Sequence, residues 1–352
     1  MKKRFLALLC MVLALLSSFS LFACQKKSTK FTATSFEVFD TVTTIVGYAK
    51  DQAEFDEVSG RILAELKEYH KLFNIYEAYD GLANLCTVNS LQNGLHPTVT
   101  VDQRLVDLLL YAKEIYKDTN GSVNIAMGSV LSLWHQCREA AQEDPASASL
   151  PATEALQAAA KHTNIEDLVI DPAQNTVTIT DPELRLDVGA IAKGYAVEMV
   201  ARALEKEGIE GYLLNVGGNV RAIGGKANGE KWLVGIENPN ESNEDPYFAQ
   251  LHILGESLVT SGSYQRYYTV EGKKYHHIID PETLMPAEGY LSVSVLCKSS
   301  AQGDALSTAL FCMSPEEGLS LIEAMPGAEA LWVMEDGTRQ ASSGFSHYTE
   351  TQ

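Results

Sequence analysis

Apolar positions recur along this chain with two different periods. Between residues 51 and 73 they fall at Phe55, Val58, Ile62, Leu66, Tyr69 and Phe73, one face at helical spacing, opened by Asp51 with Glu54 three residues on. Residues 102–118 repeat that period and stop at Asn120-Gly121. Further helical stretches run through Leu131 and Trp134, from Thr153, over 194–207 up to Gly208, from near Gly303, and behind a Ser314-Pro315-Glu317 cap. Strand-like runs occupy 36–48, 168–170, 176–180, 212–216, 231–237, 249–254, 264–270, 275–279 and 291–297, with hairpin turns at Glu271-Gly272 and Asp336-Gly337. Residues 74–97 carry no sustained period, and 139–151 read as a surface excursion. Helices and strands mix without regular alternation or internal repeat. This predicts an α+β fold of mixed, largely antiparallel sheets with packed helices and a ligand site between two subregions.

The first 24 residues depart from this pattern. Lys2, Lys3 and Arg4 precede an apolar run over 5–16, then small residues, then Leu21-Phe22-Ala23-Cys24. The run is too short for a comfortable membrane span and resembles a bacterial lipoprotein signal, with Cys24 the lipidated new N-terminus. The expectation is a chain held by lipid on the outer face of the bacterial cytoplasmic membrane, with a polar tether over 25–34 and a folded domain over 35–345. Losing the signal leaves 24 basic residues against 46 acidic ones. That balance argues against nucleic acid as a partner, since phosphate backbones would go unneutralised. Cys86, Cys137, Cys297 and Cys312 show no C-x-x-C spacing and read as core residues.

The densest candidate chemistry lies at Asp187-Val-Gly-Ala-Ile-Ala-Lys-Gly-Tyr195, where a strand-like run over 184–188 breaks and an amphipathic helix begins. Gly189 and Gly194 would let backbone approach a bulky group, a helix N-terminus offers N–H groups to an anion, and Lys193 adds positive charge, which together suit a phosphate. The lysine precedes the second glycine, so this is no Walker loop, and glycine as plain strand-to-helix punctuation stays open. Three more clusters follow. Thr260-Ser261-Gly262 with Arg266 would hold a phosphate or form a solvated turn. His276 and His277 point to opposite faces of a strand, so at most one faces a given site. Asp304 and Thr308 share a helix face as hard oxygen ligands suited to Mg²⁺, or as a helix-start carboxylate beside a buried threonine.

Taken in order, D-x-G-x-x-A-K-G-Y, N-V-G-G-N, W-x-V-G-I-x-N-P, T-S-G-x-Y-x-R, H-I-I-D-P and D-A-L-S-T-A-L-F resemble the FAD:protein FMN transferase family, the ApbE flavin transferase lipoproteins, over residues 36–311. The resemblance implies an exported enzyme that splits FAD and attaches FMN through a phosphoester to a threonine of an acceptor protein, using Mg²⁺. It implies that Asp187 and Lys193 contact FAD, that the Ala190 carbonyl joins Asp304 and Thr308 on the metal, and that Ile278 lines the FAD pocket. Phe39, Tyr76, Ser122, Val123 and Asn124 fall on further flavin-binding positions, as do Ser261, Gly262, Arg266 and His277. Two positions depart from the pattern: Asn124 replaces an aspartate, and Leu284 replaces a glycine. The base that takes the threonine proton is expected to be His277, whose imidazole titrates near neutrality. Two other readings share the pocket: an FAD pyrophosphatase with water as nucleophile, and a lipoprotein that captures a nucleotide or flavin without turnover.

Overall fold

The computed structural model describes residues 28–90, 98–239 and 245–349. The signal stretch, Cys24 and the first residues of the tether lie outside them. Among the described residues no helix is long and apolar enough to cross a membrane.

The chain begins with a hairpin, β1 (Thr29–Val38) and β2 (Thr41–Ala49), then α1 (Gln52–Phe73), α2 (Leu85–Ser90), β3 (Val99–Thr100), α3 (Gln103–Asp118), α4 (Gly128–Glu143) and α5 (Thr153–Ala159). A small hairpin, β4 (Leu168–Asp171) and β5 (Thr176–Ile179), leads to α6 (Ala192–Lys206). Strands follow: β6 (Tyr212–Val216), β7 (Asn219–Ile223), β8 (Trp232–Glu237), β9 (Tyr247–Ile253), β10 (Ser257–Gly262), β11 (Tyr267–Val270), β12 (Lys273–His276) and β13 (Tyr290–Cys297). The chain closes with α7 (Ser300–Phe311), α8 (Pro315–Glu323), β14 (Glu329–Met334), β15 (Arg339–Ala341) and α9 (Ser346–Thr349).

Among the described residues the main sheet has eight strands in the order β1-β2-β6-β7-β10-β13-β14-β15. Every neighbouring pair is antiparallel, in keeping with the expected α+β class. Alternate residues feed two cores. Ile45, Leu214 and Val216 pack toward α1, α3 and α6, while Val293, Val295 and Trp332 continue that face under α7 and α8. Val220, Leu258, Leu296 and Val333 face the other way, against the β8–β9 hairpin and Phe345. The apolar stripe of α1 does what its spacing predicts: Phe55 is buried and stacks between Phe31 and Tyr212 at 5.5 and 6.2 Å. Burying a side chain of that size stabilises the fold by roughly 1.5–3 kcal/mol.

Several expectations change on folding. The tether is shorter than read, because Thr29–Val38 is already strand; Phe31, Ala33 and Ser35 alternate with exposed neighbours along the sheet edge. The run over 36–48 contains the turn between β1 and β2, where Phe39 and Asp40 both take positive φ. Residues 184–188 are not a strand. Their backbone bonds go to the Asn89 side chain, which pairs both polar groups of Leu186 at 2.9 Å, and to Ile125 and Gly128. Helix α4 reaches into the stretch read as an excursion and buries Ala141. Of the four cysteines only Cys297 is fully buried; all four are free and the other three half-buried.

Candidate active site

A cleft of about 590 Å³ opens where α6 and α7 begin, between the ends of β10 and β12 on one side and α4 with the residue 122–127 loop on the other. Tyr76, Ser122, Asn124, Asp187, Ala190, Lys193, Ser261, Gly262, Arg266, His277, Ile278, Asp304 and Thr308 all line it. Residues as far apart in sequence as Asp40 and Thr308 thus meet in one cavity. Two predicted residues do not line it. Val123 is a core side chain, 3% exposed. Phe39 turns its ring edge to His70 at 5.5 Å while its N–H donates to His70 Nδ1 at 3.1 Å, leaving the next residue, Asp40, at the cleft wall.

At the innermost point Asp304 is 4% exposed. Its Oδ2 accepts from the Gly194 N–H at 2.7 Å, and its Oδ1 lies 3.9 Å from Lys193 Nζ. Helix α6 has no cap from its own preceding residue, Ile191. The carboxylate of a different helix caps it instead, at the positive end of its dipole. The first-turn N–H expected to greet a phosphate is therefore already bound to Asp304. Burial pushes the Asp304 carboxyl above its ordinary range, against the opposing pull of Lys193, the Gly194 N–H and Asn219. The role of Gly194 changes too. A Cβ there would sit 2.3 Å from the Ser300 carbonyl oxygen and 2.4 Å from Asp304 Cβ, so the glycine admits α7 rather than a ligand. Gly189 belongs to a turn in which its N–H donates to Asp187 Oδ1 at 2.8 Å. Burial raises the Asp187 carboxyl as well.

Both histidines border the cleft, against the expectation that only one would, because β12 ends at His276 and His277 lies in the loop beyond it, but their partners differ. His276 is structural: Nε2–H donates to the Ala287 carbonyl at 2.7 Å, Nδ1 accepts from the Ile278 N–H at 3.2 Å, and the ring packs edge-on against Phe311. The Nδ1–H of His277 donates to the Arg266 carbonyl at 3.2 Å, which fixes the tautomer and leaves Nε2 with its lone pair. Burial, with Arg266 and Lys193 nearby, pushes its pKa down to about 3, so the ring is neutral at physiological pH. Gly262 ends β10 in extended conformation instead of making a tight turn, with the Tyr264 ring over its α-carbon. Ser261 and Ser307 share a hydroxyl contact of 2.8 Å, and Ser307 Oγ also donates to the Asp304 carbonyl at 3.0 Å. At the mouth, Tyr76 is 63% exposed and stacks on His135 with ring centroids 5.0 Å apart.

The sequence pattern of the ApbE family matches residues 39–332. The chain belongs to that family. It is 30% identical over 287 residues to an FAD:protein FMN transferase of Klebsiella pneumoniae, spanning 81% of this chain and 84% of the relative. It is 32% identical over 267 residues to one of Treponema pallidum, spanning 72% and 71%. Among solved structures, an ApbE protein from Thermotoga maritima superposes with a TM-score of 0.79 at 26% identity, covering 92% of this chain and all of that one. The flavin transferase ApbE from Vibrio cholerae gives 0.74 at 26% identity, with the same coverage.

Within this ApbE fold, both departures from the family pattern have a local account. Asn124 Oδ1 accepts from the Ala126 N–H at 2.9 Å, as an aspartate would, while Nδ2 donates to the Thr163 carbonyl at 2.9 Å, which an aspartate cannot do. Leu284 takes φ 61°, the left-handed region that favours the glycine it replaces. Its carbonyl is held by Trp134 Nε1–H at 3.0 Å and its N–H by the Asp280 carbonyl at 2.8 Å. The residue that sequence reasoning missed is Asn219, the last of N-V-G-G-N. With its amide nitrogen toward the carboxylate, Asn219 donates to Asp304 Oδ1 at 3.3 Å and accepts from the Gly194 N–H at 3.2 Å. The signal was present as a buried-strand asparagine next to a double glycine; nothing local tied it to a residue 85 positions later.

Proposed function

We propose that this chain transfers FMN from FAD to a threonine hydroxyl of an acceptor protein and releases AMP, with Mg²⁺ held by Asp304, Thr308 and the Ala190 carbonyl. One observation carries the reading: a buried carboxylate occupies the N-terminus of α6, where a phosphate would otherwise sit, with a lysine beside it and hard neutral oxygens in the same cleft. Two anions side by side repel, and a dication between them removes the conflict. Among the described residues no cluster of three or more His, Cys, Asp or Glu side chains is placed to hold a metal. The donor set of one carboxylate and neutral oxygens fits Mg²⁺, which keeps waters and takes phosphate oxygens, better than Zn²⁺.

When bound, Mg²⁺ would offset charge on the pyrophosphate. The chain's own residues do the rest. Lys193 and Arg266 hold phosphate oxygens, and Tyr76 covers a flat ring at the mouth. His277, neutral and oriented by the Arg266 carbonyl, presents Nε2 to the acceptor hydroxyl. The hydroxyl oxygen bonds to the FMN phosphorus, the bond from that phosphorus to the bridging oxygen breaks, and AMP leaves with the electron pair while Nε2 takes the proton. Phosphate anions beside His277 would raise its basicity, because they favour the imidazolium.

The export reading stands beside this as part of the proposal: Cys24 lipidated, the domain on the outer face of the cytoplasmic membrane, the acceptor an exported or membrane redox subunit. Cys24→Ala should release the protein from the membrane fraction or block processing; unchanged mass and fractionation would reject the anchor. For the chemistry, purified domain is incubated with FAD and Mg²⁺, with and without a threonine-bearing acceptor, and the products are resolved by mass. Transfer predicts an acceptor heavier by FMN. Free FMN and AMP at the same rate with or without acceptor would make the chain a pyrophosphatase, and intact FAD would make it a capture protein. FAD should also bind more tightly than riboflavin in a fluorescence titration; equal affinities would remove the phosphates from this cleft.

A further inference from the structure

We infer that Glu198 is a positioning residue for the cation site, acting through the first turn of α7; the inference rests on the Mg²⁺-dependent reading above. Gly194 N–H of α6 donates to Asp304 of α7 at 2.7 Å. In return the Ser300 N–H, the first residue of α7, donates to Glu198 Oε2 of α6 at 2.9 Å. Each helix start is capped by a carboxylate from the other. Helix α7 needs this, because its own cap, Ser299 Oγ, reaches the Gln302 N–H only at 3.4 Å.

Glu198 is 3% exposed and Ser300 0%, so no water stands ready to replace the bond. The charge of Glu198 is held by Arg221 Nε at 3.2 Å, itself 5% exposed, and by Arg202 Nε at 2.7 Å. Arg221 is fixed in turn by the Gly255 carbonyl at 2.9 Å and Glu205 Oε1 at 2.8 Å. A buried ion pair is poor value for stability alone, since apolar residues of similar volume generally do as well or better. What the carboxylate offers that a leucine cannot is an acceptor for the Ser300 N–H, which sets how α7 is rotated and how far it slides along α6. Asp304 lies one turn beyond Ser300 and Thr308 two, so that setting decides whether both oxygens face Ala190 across the cleft. The contact is tight enough to transmit it, because Gly194 leaves no slack between the two helix starts.

The test uses Glu198→Leu, which keeps a similar volume but removes the acceptor for the Ser300 N–H, and Glu198→Leu with Arg221→Met, which also removes the buried charge left unpaired and protects the fold if the single variant fails. Arg61→Gln, which breaks the exposed Arg61–Glu207 pair, serves as the control. Two measurements are made: melting temperature against Mg²⁺ concentration without FAD, and AMP release against Mg²⁺ at saturating FAD. The half-saturating Mg²⁺ concentration should rise about tenfold in both Glu198 variants by either readout, as for other outer partners of metal ligands, while kcat at saturating Mg²⁺ recovers to within about threefold. Arg61→Gln should match wild type. A folded Glu198 variant that melts lower but keeps the wild-type Mg²⁺ constant would overturn the inference and leave Glu198 a structural residue. If wild type itself shows no Mg²⁺ dependence, the metal assignment falls and takes this inference with it.

Discussion

The inner wall of the cleft, formed by the first turns of α6 and α7, keeps its polar groups buried and bound to one another. The outer wall, α4 with Tyr76 and Arg266, leaves them in solvent. On the inner wall Asp304, Gly194 and Asn219 are hydrogen-bonded to one another, and behind them Glu198 holds the Ser300 N–H, all with almost no exposed side-chain surface. On the outer wall Tyr76 rests on His135, and Arg266 donates from one nitrogen to the Asp40 carbonyl at 3.2 Å. On the function proposed above, the difference follows from what each wall would hold. Placing charge at a pyrophosphate requires dipoles fixed before the substrate arrives, whereas gripping a flat ring requires area and tolerates adjustment. Inner-wall changes should therefore cost turnover or fold, and outer-wall changes should cost affinity.

The hardest test of that contrast is Asp304→Ala. It removes the one charged donor in the proposed metal set and should lower AMP release by about 10³-fold or more while the protein stays folded. Thr308→Val should do less, since water replaces one neutral oxygen. AMP release against Mg²⁺, with melting curves alongside, decides it; near-wild-type turnover in Asp304→Ala would empty the inner wall of its role. Gly194→Ala comes next. The new methyl group meets the Ser300 carbonyl and Asp304 head-on and should cost about 1–3 kcal/mol by denaturant unfolding, with activity falling alongside. A neutral effect would show that the two helix starts are loosely coupled.

Acidification probes His277, which borders both walls. Its folded pKa of about 3 lies below the ordinary 6.5, so between those values the unfolded chain binds the extra proton. Stability tied to this residue is complete above pH 6.5 and is lost as pH falls toward 3, by at most about 2 kcal/mol at pH 5. His277→Asn should show a correspondingly smaller drop in melting temperature between pH 7 and pH 5. An identical drop would mean that the ring is solvated in the native state. The smallest effect belongs to the outer wall: Tyr76→Ala should raise KM for FAD by roughly 3- to 10-fold, in line with about 1 kcal/mol of stacking, with kcat unchanged. A loss in kcat instead would place Tyr76 with the inner wall.

Much of this was legible in the chain. Asp51 caps α1 through its Oδ1, accepting from the Glu54 N–H at 3.0 Å, although Glu54 reaches back to the Lys50 N–H and not to that of Asp51. Ser314 and Glu317 form the full reciprocal cap of α8. Glu271 and Gly272 both take positive φ in a two-residue turn between β11 and β12. The strands β7 and β10 were missed, although their neighbours β6 and β13 in the middle of the sheet were read. All five residues of β7 are buried, so it lacks the in-out alternation that marks a half-exposed strand.

The sequence by itself determined the elements whose signals are local: stripes at helical spacing, caps three residues long, turns that need a left-handed residue, and the family-like runs that carry Asp187, Lys193, His277, Asp304 and Thr308. These depend on contacts within one or two turns of chain, so neighbouring residues suffice to specify them. Only the tertiary structure decided which carboxylate caps which helix. Gly194 with Asp304 spans 110 residues, Ser300 with Glu198 spans 102, and no periodicity reaches across such distances. Those bonds exist because the eight-stranded sheet brings α6 and α7 side by side. A buried N–H must then find an acceptor, and each helix start finds it on the other.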